Sequence, residues 1–112
     1  NMASVSKYTI SLGSLSGASG SADKVSLEHH TVDHVFAADV SALSGGTTLA
    51  FSIKTSIDGV SFAEIATGSA AVTGLKLITV PSPLSFVRVD WTMAGGAQTA
   101  TVTGALCYDK RR

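Results

Sequence analysis

Apolar and polar residues alternate with a period of two through most of this chain, the pattern of strands that bury one face. In residues 7–12, Tyr8, Ile10 and Leu12 share one side while Lys7, Thr9 and Ser11 share the other, which predicts an N-terminal strand. Val25, Leu27 and His29 then alternate with Ser26, Glu28 and His30, and residues 34–43 place Phe36, Ala38, Val40 and Ala42 on one face. The clearest strand covers residues 47–56, with Leu49, Phe51 and Ile53 inward against Ala50, Ser52 and Lys54. Further strands are predicted over residues 60–67, 75–80, 85–93 and 99–108. In the seventh, Val87, Val89, Trp91 and Met93 oppose Phe86, Arg88, Asp90 and Thr92. In the last, Val102, Gly104, Leu106 and Tyr108 share a face, and no helical period is sustained anywhere.

Turn chemistry separates these runs. Asp58-Gly59 lies between two apolar stretches and is the strongest hairpin signal, because both residues tolerate the positive φ of a tight turn. Pro81-Ser82-Pro83 ends the sixth strand, since proline cannot donate to a ladder. Ser44-Gly45-Gly46 and Gly95-Gly96 read as hairpin turns. Residues 13–23, almost all Gly, Ser and Ala, read as a flexible connection behind the first strand. About eight short strands with glycine, proline and serine turns give an all-β chain, an antiparallel β-sandwich of jelly-roll type with an N-terminal strand on a flexible tether. The expected division is an arm at 1–12, a connection at 13–23 and the sandwich at 24–112.

Composition narrows the class of job. A chain of 112 residues allows one domain. Charged residues form only 14% against the roughly 25% of an average domain, so some outer faces must be Ala, Ser and Thr, which suits protein neighbours. Eight basic residues balance eight acidic ones, and no net field draws nucleic acid. No apolar run reaches the roughly 18 residues of a membrane helix, and no secretory signal opens the chain, so neither a membrane nor export is expected. Asn1 stands before Met2, and the natural start is expected near Met2. Cys107 is the sole cysteine, which excludes an intrachain disulfide and fits a reducing compartment.

Candidate chemistry is sparse. His29, His30 and His34, with Glu28 and Asp33, are the only grouping of metal-ligand types, but neighbouring strand residues point to opposite faces, so neither a metal nor a cofactor is expected. Three imidazoles near one edge could instead tune an interface between about pH 5 and 7. No Gly-x-Ser-x-Gly elbow, paired carboxylates or phosphate-cradling glycine loop is present, so no enzyme is expected. Trp91 reads as core. Phe86, beside Arg88 and Asp90 on the opposite face, either lies beneath a loop or meets a partner. The tail Lys110-Arg111-Arg112 reads as a solvated end.

Residues 51–91 read FSIKTSIDGVSFAEIATGSAAVTGLKLITVPSPLSFVRVDW. Here Ser56-Ile57-Asp58-Gly59-Val60-Ser61-Phe62 is followed by Phe86-Val87-Arg88-Val89-Asp90-Trp91 and then Gly95-Gly96. This order resembles small β-sandwich virion proteins of tailed bacteriophages, a likeness of strand and turn types over most of residues 24–109. The resemblance implies a non-enzymatic subunit made in the bacterial host cytoplasm and carried on the capsid surface. There it would decorate or cement a shell of major capsid protein. A tail, neck or baseplate component is the alternative. The same Asp-Gly hairpin also occurs in discoidin-like and carbohydrate-binding sandwiches, usually with tryptophan where Phe62 stands; a glycan reading needs an exposed platform from Tyr8, Tyr108, Phe62 or Phe86. A homo-oligomer is expected, with a trimer favoured. The expected contacts are Tyr8, Ile10 and Leu12, through strand exchange with a neighbour's sheet edge, together with Asp58, Gly59, Phe86 and Arg88.

Overall fold

A computed structural model describes residues 5–28 and 32–109. The expectations for His29, His30 and the basic tail fall outside them. The described residues form nine strands: β1 (Val5–Ser16), β2 (Ser19–Ser21), β3 (Val25–Ser26), β4 (His34–Leu43), β5 (Thr48–Ser56), β6 (Ala63–Ala70), β7 (Gly74–Val80), β8 (Phe86–Ala94) and β9 (Thr99–Asp109). Two antiparallel sheets result, ordered β1-β9-β4-β7 and β2-β8-β5-β6, with β3 also on β8.

The connectivity is that of a jelly roll. β5 and β6 form the only hairpin among the described strands; around it β4 pairs with β7, then β2 and β3 with β8, and outermost β1 with β9. First strand pairs with last, so the ribbon rolls upon itself and brings its two apolar faces together.

The period-two faces meet in this interior. Phe36, Ala38 and Val40 from β4 lie against Leu49, Phe51 and Ile53 from β5, and Val87, Val89, Trp91 and Met93 from β8 complete the layer, all of them buried. Ala42 departs from the pattern. A bulge between Val40 and Ala42 turns it to solvent, because one extra residue reverses side-chain direction.

The N-terminal region differs from its sequence reading. Residues 13–23 are no loose connection: β1 runs on to Ser16 through a bulge after Ile10, and β2 pairs with β8. Leu15 and Ala22 are buried and anchor the segment, and main-chain bonds from Ala22 N–H to Val89 and from Met93 N–H to Ala18 tie it down. Gly and Ser are used here because the segment hugs the sandwich edge: a Cβ on Gly20 would stand 2.5 Å from the Trp91 ring. The described part of the expected arm, residues 5–12, lies in the chain's own sheet, with Lys7 opposite Cys107 and Ile10 opposite Gly104. The described residues therefore hold nine strands where about eight were expected. Of the segment expected as a strand over 25–30, the described residues 25–28 pair at Val25–Ser26.

The two glycine pairs also differ. They are not hairpins: each connects strands in different sheets, β4 to β5 and β8 to β9.

Candidate functional site

At one end of the β5/β8 ladder the chain builds a rigid, protruding turn. Ser56 Oγ accepts the N–H groups of Asp58 at 3.2 Å and Gly59 at 2.9 Å, and donates to Asp58 Oδ1 at 3.0 Å. Asp58 Oδ1 in turn accepts from Val60 N–H at 2.9 Å and Ser61 N–H at 3.0 Å. These bonds, from Ser61, Val60 and Ser56, hold the Asp58 carboxyl at about 2, below its ordinary 3.8. Gly59 adopts φ +79°, a conformation that strains any residue with a Cβ.

The underside of the turn is packed. Lys24 Nζ donates to the Gly59 carbonyl at 2.8 Å and lies 5.8 Å from the centre of the Phe86 ring. Phe86 is half-buried directly beneath Gly59, whose hypothetical Cβ would lie 3.3 Å from the ring. Thr55 Oγ1 donates to the Phe86 carbonyl at 2.9 Å and accepts Leu84 N–H at 2.7 Å, which locks the β7–β8 connection to β5. On the far side of the turn Phe62 stacks on the Arg88 guanidinium at 4.5 Å. The structure thus brings together four of the expected contact residues, Asp58, Gly59, Phe86 and Arg88. Phe86 is roofed by the turn, which is the covering role the sequence left open for it.

What this frame displays was not anticipated. Ile57 and Val60 are 76% and 79% exposed, and Ile57 lines a depression of about 310 Å³ together with Leu84, Phe62 and Ala63. The available signal was the spacing Ser56-x-Asp58, whose two oxygens can close successive turns of backbone and force the residues between and after them outward.

Beside this end, the outer face of the second sheet is polar. Arg88 forks onto Asp90, Nε to Oδ1 at 2.9 Å and Nη2 to Oδ2 at 3.1 Å, and Lys54 Nζ reaches Oδ2 at 2.8 Å. Burial raises the Asp90 pKa, but bonds from Arg88, Lys54 and Ser21 outweigh it and leave the carboxyl below its ordinary value. Ser52 Oγ donates to Glu64 Oε1 at 2.6 Å. Lys54, Asp90, Ser52 and Glu64 border a trough of about 730 Å³ across β2, β8, β5 and β6, lined also by Ser21, Thr67 and Thr92.

The other expected contacts lie in the opposite sheet. Ile10 faces its own core and is buried, so its side chain is withdrawn from the surface; Leu12 is partly buried against the same core. Tyr8 stacks on Tyr108 with ring centroids 5.4 Å apart, and its hydroxyl accepts Glu28 N–H at 2.6 Å. Tyr108 and Trp91 are buried, and neither forms an exposed platform. His34 is fully buried, with Nδ1 2.8 Å from the Val32 carbonyl and its ring 5.2 Å from that of Tyr108. Asp33 is engaged by Ser82, and the described residues hold no group of three or more His, Cys, Asp or Glu that could ligate a metal.

No protein-family model, curated protein or solved structure matches this chain.

Proposed function

We propose that this chain is a non-enzymatic virion subunit of a tailed bacteriophage, a decoration protein that binds the shell of major capsid protein through the Ile57–Val60 turn. One observation carries the reading: two large apolar side chains stand in solvent on a turn whose backbone is held by Ser56, Asp58 and Lys24. Ordering a loop costs a binder affinity, and here the ordering precedes contact. Apolar anchors on a fixed frame are the usual centres of binding energy. Repeated over a shell, many such contacts reinforce one another by avidity. The strand and turn order of residues 51–91 supports the same reading. A tail, neck or baseplate position would use the same turn on another part of the particle.

The test is co-sedimentation of the purified chain with empty shells assembled from the major capsid protein of the same genome, and with tails. Saturable binding to shells, lost in an Ile57→Asp/Val60→Asp variant that melts like the wild type, is the expected result. Binding to tails alone moves the chain to the alternative position, and binding to neither part removes the reading. A second reading, a glycan-binding module, is favoured by the hydroxyl-lined trough on the second sheet. Binding of an oligosaccharide that Ser52→Leu/Thr92→Leu abolishes would support it.

A further inference from the structure

The outer face of the β1-β9-β4-β7 sheet carries few charges: Lys7, Asp39 and, at the end of β9, Asp109. Between Cys107 and Thr103 its outward side chains fall in three rows that the register defines: Lys7, Cys107, Val35 and Thr79 in one; Thr9, Ala105, Ala37 and Leu77 in the next; and Thr103, Asp39 and Leu75 in the third; Asp109 follows on β9 beyond the first row. Leu75 and Leu77 are 62% and 65% exposed. A broad sheet face with two solvated leucines beside alanine, valine and cysteine is the kind of surface that a neighbour covers.

The two charges in these rows identify the neighbour. Lys7 sits beside Cys107, one strand from β9 and two residues to one side of Ala105. Asp39 sits beside Thr103, one strand from β9 in the other direction and two residues to the other side of Ala105. The opposite charges are therefore placed symmetrically about Ala105. Both are exposed, and neither forms an ion pair with a described residue. A twofold axis lying in the face through Ala105, across the Lys7–Asp39 diagonal, carries each residue over the position of the other.

We propose that this face is a twofold contact between two copies of the chain, with Lys7 of each copy paired to Asp39 of the second. Such an isologous contact needs one self-complementary patch, in which a residue i meets j and j meets i. The same operation crosses the sheets nearer to orthogonal than to aligned packing, and it lays Leu77 over the Val35–Cys107 row. The small side chains of Ala105 and Ala37 at the centre let the sheets approach closely. About a dozen outward side chains take part, roughly half the complement of a standard interface, so the pair dissociates in the micromolar range or weaker. This goes beyond the shell-binding reading, since it uses the opposite sheet and requires no shell.

The experiment is sedimentation equilibrium of the full chain from about 1 μM to about 1 mM, with the reaction rate of the Cys107 thiol toward a maleimide followed over the same range. A monomer–dimer equilibrium is expected, with the thiol slowing as dimer forms. Lys7→Glu and Asp39→Lys should each weaken the dimer by tenfold or more, because symmetry counts every reversal twice. The Lys7→Glu/Asp39→Lys double variant should return to within about threefold of the wild type, as restored charge pairs require. A strict monomer to about 1 mM, a closed trimer, single variants that associate like the wild type, or a double variant that stays weak would each overturn the proposal. Shell binding by the Ile57–Val60 turn is read separately, so failure of either claim leaves the other measurable.

Discussion

Thr47 Oγ1, between β4 and β5, donates its proton to the carbonyl of Gly95, between β8 and β9, at 3.1 Å. The same oxygen accepts Gln98 N–H at 3.2 Å and lies 2.6 Å from Ser44 Oγ. Its single proton is committed to Gly95, so Ser44 is the donor in that pair, and Ser44 Oγ also accepts Thr99 N–H at 3.1 Å. Two connections far apart in sequence are thereby fastened by two hydroxyls. Thr47→Val keeps the shape and deletes the bonds; buried groups left unpaired cost about 1–3 kcal/mol each. Urea unfolding should show a loss of that size, and an unchanged midpoint would mean that the hydroxyl network does not hold this end together.

Phe36 and Phe51 join the two sheets, ring centroids 5.4 Å apart at an interplanar angle of 73°. Phe51→Ala is expected to lose about 3–5 kcal/mol through the cavity it leaves. Leu75→Ala, on the open face, should stay within about 0.5 kcal/mol at concentrations where the chain is monomeric. Thermal melts of the two variants compare interior with surface directly.

Gly20 has no room for a methyl group, since an added Cβ would meet the Trp91 ring at 2.5 Å. Gly20→Ala should destabilise by about 1–3 kcal/mol. Because Trp91 is the only tryptophan, its emission reports the displacement. A variant with native emission and native stability would show that the edge strand gives way instead.

Acid should loosen the turn. Asp58 titrates at about 2 in the folded chain against an ordinary 3.8, so its contribution is complete above the unfolded value and is lost as pH falls from about 3.8 through 2. Asp90 is shifted in the same direction and adds loss at the acid end. Carboxyl NMR titration should find Asp58 low, with the amides of Val60 and Ser61 losing exchange protection as it protonates. Asp58→Asn should remove that titration and flatten the acid limb of the stability curve.

Much of the architecture was legible in the sequence because period-two alternation is a local property. Phe36, Leu49, Phe51, Ile53, Val87, Val89, Trp91 and Met93 all point where their spacing put them. A hairpin does form at Asp58-Gly59, but its return strand begins at Ala63 rather than residue 60, and of the pair only Gly59 takes a positive φ, because the Ser56 and Asp58 side chains organise a longer connection. The N-terminal segment was misread for a related reason. Gly and Ser carry little hydrophobic signal, so the packing of Leu15, Gly20 and Ala22 against β8 and the core could not be inferred from them.

The sequence alone determined that this is an all-β sandwich, which residues face inward, and that a tight turn follows Ser56. Only the tertiary structure decided which strands pair. It set β1 against β9 and joined two glycine-rich connections through Thr47. It also brought Phe86 beneath Gly59, and laid Lys7 and Asp39 on one open face. Side-chain direction repeats every two residues and is written locally. The partner of a strand depends instead on which distant apolar faces can close over one another, and that is a property of the whole rolled chain.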